Sequence, residues 1–161
     1  MENFDWTSFT RKIAVKSDLK TMYDAWTNNR MLEKWFLSKA ELTDADGKHF
    51  DDAQKGLTYA WQWYGYDVTE CGEYLEMNGK DRVAFRFAEV CTVTIDLKEM
   101  DGEIMVSLTQ SGIPTDDTSK QQIRLGCDTG WSFFMVNLKS VFEGGLDLRN
   151  KNDQFKGVIN S

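Results

Sequence analysis

Hydrophobic and polar residues alternate in the stretch SFTRKIAVKS, residues 8–17. Because a period of two places successive side chains on opposite faces of an extended chain, this stretch is predicted to be a half-buried strand. Its outer face carries Thr and Lys side chains. The inward set is predicted to be Phe9, Arg11, Ile13 and Val15.

The period then changes to that of a helix. Ser17 or Asp18 can cap a first helix, and the tripeptide TNN separates it from a second. In both segments the apolar residues recur at the three- and four-residue spacing that places them on one helical face. These residues are Leu19, Met22, Tyr23 and Trp26, followed by Met31, Leu32, Trp35 and Phe36. We therefore predict two short helices with an asparagine cap between them.

Alternation returns between residues 38 and 112, interrupted by short polar turns. Asn78-Gly79 and Asp101-Gly102 are strong hairpin signals, because these residues tolerate the positive φ angles of tight hairpin turns. Short connections predict an antiparallel meander, which with the first strand makes a sheet of six or seven strands. Its inward sets are predicted to be Tyr59, Trp61 and Trp63; Val83, Phe85 and Phe87; Cys91, Val93, Ile95 and Leu97; and Ile104, Val106 and Leu108.

The helical period resumes after Pro114 and runs to Gly144-Gly145, which are predicted to end a long helix. Gly126 and Gly130 weaken its first half, so we expect a kink or close packing there. Its apolar stripe consists of Ile123, Cys127, Trp131, Phe134, Leu138, Val141 and Phe142. One long amphipathic helix can cover the apolar face of an antiparallel sheet, which predicts an α+β fold in which a curved sheet wraps around that helix.

The chain of 161 residues is predicted to be a single domain. Its core is expected to span about residues 7–149, and residues 150–161 are expected to form a polar C-terminal tail that is partly ordered.

This order of elements resembles the START-like, or SRPBCC, superfamily with its helix-grip fold. Within that superfamily, YDAWTNNRMLEKWF (residues 23–36) and GWSFFMVNLKSVFEGGLDLR (residues 130–149) resemble the family of activators of the ninety-kilodalton heat-shock protein ATPase. The resemblance covers about residues 7–149. It depends on the pair Gly130-Trp131, the segment NLKSVFEGG, and the spacing between Trp26 and Trp35-Phe36.

The resemblance implies the helix-grip fold firmly and a function only loosely, because one scaffold carries many unrelated tasks. In the better-known eukaryotic co-chaperone, the similar domain is the C-terminal half, and a separate N-terminal domain contributes much of the ATPase stimulation. Because the first predicted strand lies close to residue 1, we expect this chain to lack that other domain. That difference counts against full activator function.

Charge, hydrophobicity and cysteine content indicate which classes of partner this protein binds and in which compartment it is located. A formal net charge of -7 argues against nucleic acid and anionic membrane surfaces, because proteins that bind them collect Lys and Arg on one face. The sequence has no apolar run approaching the roughly 20 residues of a membrane-spanning helix, and its N-terminus lacks a signal-peptide pattern. Three widely spaced cysteines favour reduced thiols. We therefore predict a cytoplasmic location.

The aromatic residues suggest a binding site between the sheet and the long helix. A curved sheet that grips a helix usually leaves space at its mouth, and apolar side chains there would bind an apolar molecule by removing its surface from water. The alternative is that these side chains only fill the core. The candidate lining residues are Trp26, Trp35, Phe36, Trp61, Trp63, Phe85, Phe87, Trp131, Phe134, Met135, Leu138 and Phe142. Arg11 is the polar candidate for this pocket, with Gln110 and Thr92 weaker ones; the alternative for Arg11 is that it extends to solvent.

Two acidic segments could suggest chemistry, but neither has the required pattern. In TDADGKHFDD, residues 43–52, the glycine comes too early for a calcium loop that starts at Asp44, and no glutamate stands at the twelfth position. In TECGEYLE, residues 69–76, the three glutamates lack a partner base and are interpreted as the solvent face of a strand. We therefore predict no metal, no cofactor and no catalytic residue.

Three functions remain open at this stage. The first is a non-enzymatic module that holds a small hydrophobic ligand between helix and sheet. The second is a domain that binds or stimulates a heat-shock chaperone of the ninety-kilodalton type, as the resemblance implies. The third is a cyclase- or hydrolase-like enzyme, which is disfavoured because the inward positions are almost wholly apolar and the single histidine, His49, lies in a loop.

Overall fold

The computed structural model describes residues 3–161, which form one antiparallel sheet of eight strands, two short helices after the first strand, and a long C-terminal helix preceded by a third short helix and a π-helical segment. The strands are β1 (Ser8–Val15), β2 (Lys39–Thr43), β3 (His49–Phe50), β4 (Thr58–Gln62), β5 (Glu70–Met77), β6 (Arg82–Phe87), β7 (Cys91–Met100) and β8 (Glu103–Ser111). The helices are α1 (Leu19–Thr27), α2 (Asn29–Trp35), α3 (Asp117–Ser119) and α4 (Gly126–Phe142), and a π-helical segment, Lys120–Leu125, joins α3 to α4.

The strands lie in the order β1-β8-β7-β6-β5-β4-β2-β3, and every neighbouring pair is antiparallel. The predicted helix-grip arrangement is confirmed, but the predicted count of six or seven strands is too low. The difference is the short hairpin at the acidic turn, where Leu42 and Thr43 of β2 pair with Phe50 and His49 of β3. A two-residue strand leaves almost no alternation by which a sequence pattern could reveal it.

Side chains cap the two short helices at the predicted places. The Asp18 carboxylate accepts a hydrogen bond from the Thr21 N–H at 2.8 Å, which starts α1. The Asn28 side chain accepts one from the Met31 N–H at 3.1 Å, so the predicted asparagine cap opens α2. Each cap supplies an acceptor to a backbone N–H that has no partner within the helix.

The apolar stripe of α4 faces the sheet, as the pattern predicts. Trp131, Phe134 and Leu138 are buried, and Asn137 is the buried polar residue among them. Ile123, Cys127, Val141 and Phe142 pack against the core with partial exposure. The irregularity expected near Gly126 and Gly130 lies just before them, where the helix widens to the π form over residues 120–125.

A close approach between β4 and β5 explains one glycine of the sheet. The Tyr59 hydroxyl donates a hydrogen bond to the Arg86 carbonyl of β6, and the path between them passes directly over Gly72 of β5. A β-carbon at position 72 would overlap both the Tyr59 hydroxyl and the Arg86 carbonyl oxygen. Glycine at this position therefore permits the contact between Tyr59 of β4 and Arg86 of β6.

Candidate functional site

A cavity of about 600 Å³ opens between the first half of α4, the nearby ends of β4, β5 and β6, and the C-terminal segment. Its wall on the sheet and α2 side is aromatic. That wall consists of Phe36, Trp63, Phe87, Trp131 and Phe134. Gly126, Cys127, Thr129 and Gly130 contribute the helical side, and Val158, Ile159 and Ser161 contribute the outer side.

Trp131 is the centre of the aromatic wall. Its ring stacks on Phe36 with centroids 5.0 Å apart and lies 5.1 Å from Phe87. The indole N–H donates to the Gln110 side-chain oxygen at 3.0 Å, behind the wall. Because this hydrogen bond satisfies the polar atom of the indole, the ring can present an apolar surface to the cavity.

The structure divides the predicted lining residues into two groups. Phe36, Trp63, Phe87, Trp131 and Phe134 line the cavity. The others lie away from it: Trp26, Trp35, Trp61, Phe85, Met135 and Leu138 are buried in the core, and Phe142 is partly buried near the end of α4. The predicted residues all point inward between the sheet and α4, but the cavity lies only beside the first half of α4. Inward-facing residues elsewhere along the helix and the sheet pack against one another instead.

Arg11 does not line this cavity. Its guanidinium pairs with the Asp128 carboxylate of α4 at 2.6 Å, and its side chain is 45% exposed. Asp128 also pairs with Arg124, which is almost fully buried, at 2.9 Å. Arg11 therefore links β1 to α4 through this ion pair. Its assignment as the polar group of the pocket is corrected, because it does not line the cavity.

Glu70 is a lining residue with a charged side chain, and the sequence analysis did not assign it to the site. It is the first residue of β5, is half-buried, and accepts a hydrogen bond from the Ala88 N–H at 2.7 Å. Burial raises the pKa of its carboxyl group, and the hydrogen bond from Ala88 opposes that shift. The interpretation of Glu70 as part of a solvent face is therefore wrong.

A β-bulge explains that error. Glu70, Gly72 and Tyr74 alternate on the inward face of β5, but the register with β6 shifts between Tyr74 and Glu76. The extra residue reverses the alternation, so Glu76 faces solvent and pairs with Arg82 at 3.0 Å. Counting backwards from the buried Tyr74 would have placed Glu70 inside.

The turn between β6 and β7 is held by Glu70. Ala88 and Glu89 both have positive φ angles, of 49° and 65°, which are unfavourable for residues with a β-carbon. Residues in such conformations cost on the order of 1 to 3 kcal/mol each and persist where surrounding contacts determine them. The hydrogen bond from Ala88 to Glu70 is one such contact, and it ties the carboxylate to the cavity rim.

The cysteine that lines the cavity behaves as an apolar group. Burial raises the pKa of the Cys127 thiol to about 11, although hydrogen bonding to Gln110 acts in the opposite direction. Burial also raises the pKa of Cys91, which lies behind the wall. A raised pKa disfavours the thiolate form that nucleophilic catalysis requires.

The C-terminal segment is anchored beside the cavity by Arg149, whose side chain is only 2% exposed. Its guanidinium pairs with Asp147 at 2.8 Å and donates to the backbone carbonyls of Leu37 and Glu33, each at 2.9 Å. The buried Asn137 of α4 also donates to Asp147, at 3.1 Å.

Beyond Arg149 the chain turns back on itself. The Asn150 N–H donates to the Asn160 carbonyl at 2.6 Å, and the Asn160 side chain donates to Leu148 at 2.9 Å. This turn places Val158, Ile159 and Ser161 against the cavity. We call residues 150–161 the flap.

The residues that the structure describes, 3–161, have neither a metal-binding cluster nor a membrane-spanning helix. No group of three or more His, Cys, Asp or Glu side chains is placed to hold a metal ion in this part of the chain. Within the same residues, no helix combines the length and the hydrophobicity needed to cross a lipid bilayer.

Residues 16–143 match the sequence model of a family described as "Activator of Hsp90 ATPase homolog 1-like protein". This match covers most of the chain and includes the two short helices, strands β2 to β8 and all of α4. No curated protein is similar enough to this sequence to count as a match.

Several solved structures share the fold. The protein SSP2350 from Staphylococcus saprophyticus has a TM-score of 0.71 at 19% identity, over 88% of this chain and 96% of its own. The Aha1 dimer from Colwellia psychrerythraea has a TM-score of 0.68 at 18% identity, over 86% of this chain and 97% of its own. Protein NE0264 from Nitrosomonas europaea has a TM-score of 0.69 at 16% identity, over 88% and 97%. Identities this low indicate a common fold and no more.

Proposed function

We propose a ligand-binding function for this chain, which belongs to the family of activator of Hsp90 ATPase homolog 1-like proteins. The ligand is a small, largely apolar molecule that occupies the cavity between the aromatic wall, α4 and the flap. A volume of about 600 Å³ lies within the range of about 300 to 1,000 Å³ that is usual for small-molecule sites. Removing apolar ligand surface from water would contribute about 25 cal/mol for each Å².

The observation that carries this proposal is the open space beside Gly130. Gly130 lies within α4 and lines the cavity, yet apart from its chain neighbours and the adjacent backbone of its own helix, no atom comes within 4 Å of the position where its β-carbon would be. A glycine inside a helix costs about 1 kcal/mol relative to alanine. The sequence thus retains a helix-destabilising residue at a point where a side chain would fill the cavity.

Replacing Gly130 with leucine should block binding without unfolding the protein. The leucine side chain would occupy the cavity, while the better helix propensity should keep the free energy of unfolding unchanged or raise it by up to about 1 kcal/mol. Native mass spectrometry should show a small molecule that copurifies with the wild-type protein and is lost from G130L. Chemical denaturation measures the stability of both proteins.

Gly130→Ala is the matched control, because a methyl group improves helix propensity but fills little of the cavity. We expect G130A to be more stable than wild type and to retain the ligand. If the wild-type protein carries no small molecule, and also binds none after extensive lipid screening, the proposed function is wrong.

Family membership favours a second function, binding to a chaperone of the Hsp90 type. In that case the chain should change the ATPase rate of the cognate chaperone, measured with and without the purified protein. G130L should have the same effect as wild type, because a docking function on the outer surface does not need the cavity. No change in rate together with no binding would exclude this function.

A further inference from the structure

We propose that the ligand of this cavity carries a hydrogen-bond donor, an amine or a hydroxyl group, at the end that meets Glu70. This inference depends on the proposed ligand-binding function and specifies the chemical class of the ligand. It concerns one carboxylate at the end of a largely aromatic cavity, and it follows from the hydrogen bonds and charges around that carboxylate.

The hydrogen-bonding capacity of Glu70 is only partly used. An ionised carboxylate accepts about four hydrogen bonds. The Ala88 N–H supplies one at 2.7 Å. The rest of that capacity remains for a group inside the cavity, and only a donor can use it.

The charge around Glu70 is also uncompensated. Among the described residues that line the cavity, none is Lys, Arg or His. Among the described residues, the charged side chain that contributes to the raised pKa of Glu70 is Glu89, which is also acidic. Because partly buried charges are normally paired, a cationic or neutral donor on the ligand would stabilise this carboxylate, and an anion would be repelled.

The aromatic wall agrees with the same ligand class. Trp131, Phe36 and Trp63 supply aromatic surface to the cavity that can pack against an apolar ring, and the face of an aromatic ring also attracts a nearby cation. The cavity thus offers an apolar surface for the main part of a ligand and a hydrogen-bond acceptor, the Glu70 carboxylate, at one end. A fatty acid or another carboxylate would leave its own charge next to Glu70.

Four probes with a common naphthalene ring test the inference: 1-methylnaphthalene, 1-naphthylmethanol, 1-naphthylmethylamine and 1-naphthoic acid. Their dissociation constants are measured by calorimetry at neutral pH. We expect the amine to bind at least about tenfold more tightly than the acid, because hydrogen bonds to charged groups are the stronger class. The alcohol should also bind more tightly than 1-methylnaphthalene.

Glu70→Gln isolates the carboxylate. The amide oxygen can still accept a hydrogen bond, so the alcohol should bind nearly as before, whereas the amine should weaken about tenfold. Binding of 1-methylnaphthalene should not change. Glu73→Gln is the matched control, because Glu73 lies on the same strand, is exposed and does not line the cavity.

The stability of E70Q shows whether the substitution disturbs the fold, and the pKa shift of Glu70 predicts the direction of the change. Burial raises the pKa of Glu70 above its unfolded value, so the carboxylate lowers stability as the pH rises from the unfolded pKa through the folded one. Removing the charge should therefore leave the unfolding free energy at pH 7 unchanged or higher. A large loss of stability would instead assign Glu70 a purely structural role and overturn the inference.

The remaining outcomes separate the two proposals. If the acid binds as tightly as the amine, or if E70Q and wild type bind the amine equally, the inference about the ligand is wrong while a cavity that binds 1-methylnaphthalene remains. If none of the four probes binds and the protein purifies without a small molecule, both proposals fail.

Discussion

Replacing Trp131 with alanine should lower the free energy of unfolding by about 3 to 5 kcal/mol, as large aromatic deletions in protein cores do. The indole is 2% exposed and contacts rings from three other parts of the fold, Phe36, Phe87 and Trp26. Its loss would also remove the hydrogen bond that the buried Gln110 side-chain oxygen accepts from the indole N–H. Chemical denaturation monitored by circular dichroism measures the change.

Two variants make that result interpretable. Trp131→Phe keeps most of the packing but removes the indole N–H, so it should cost clearly less than W131A. Glu143→Ala changes an exposed residue just past the end of α4, whose ion pair with Lys139 is on the surface, and it should have little effect. A loss below about 1 kcal/mol for W131A would mean that this side chain does not hold helix and sheet together.

Replacing Arg149 with methionine should lower the free energy of unfolding by about 3 kcal/mol, the lower end of the range for breaking buried ion pairs. Methionine keeps the aliphatic stem but leaves Asp147 without its buried partner and the Leu37 and Glu33 carbonyls without donors. The lower end applies because Asp147 keeps hydrogen bonds from Lys151 and Asn137. The flap should also become sensitive to limited proteolysis.

Lys151→Met is the matched control, because Lys151 pairs with the same carboxylate at 3.0 Å but is half exposed. It should cost much less, since surface ion pairs contribute little. If K151M and R149M destabilise equally, burial of the Arg149 guanidinium is not what anchors the flap.

Lowering the pH should weaken the interaction between Arg149 and Asp147. Burial opposes ionisation of Asp147, but hydrogen bonds from Arg149, Lys151 and Asn137 outweigh it and hold the pKa of this carboxyl well below its ordinary value. A lowered folded pKa contributes stability that is present above the unfolded pKa of about 4 and is lost as the pH falls below it. Asp147→Asn should therefore lower stability at neutral pH and reduce the loss of stability between neutral and acidic pH.

Most of the fold could be read from local pattern. The period of two and the helical period gave the right phase for β1, α1, α2 and α4, because a half-buried element shows its buried face in the alternation of its own residues. The resemblance to the activator family, based on the segments around Trp26 and Trp131, is confirmed by the match over residues 16–143. β2 and β3 were not assigned as strands from the sequence, and β3, with its two residues, is too short to leave a pattern.

Sequence periodicity could not predict which residues line the cavity. Sequence phase identifies which aromatic residues face inward, but Trp61 and Phe85 fill the core while Trp63 and Phe87, two residues further along, line the cavity. Periodicity cannot distinguish them, because it records the direction of a side chain and not whether another side chain occupies the space in front of it. That depends on where strands end and helices cross.

The sequence by itself thus determined the order of elements, their buried faces and the family, since these depend on residues close together along the chain. Only the tertiary structure decided that Glu70 faces the cavity, that Arg11 pairs with Asp128 and that Arg149 anchors the flap. Each of these depends on partners distant in sequence or on a bulge that reverses the alternation within one strand. Such contacts arise when the sheet closes around α4, and no local period encodes them.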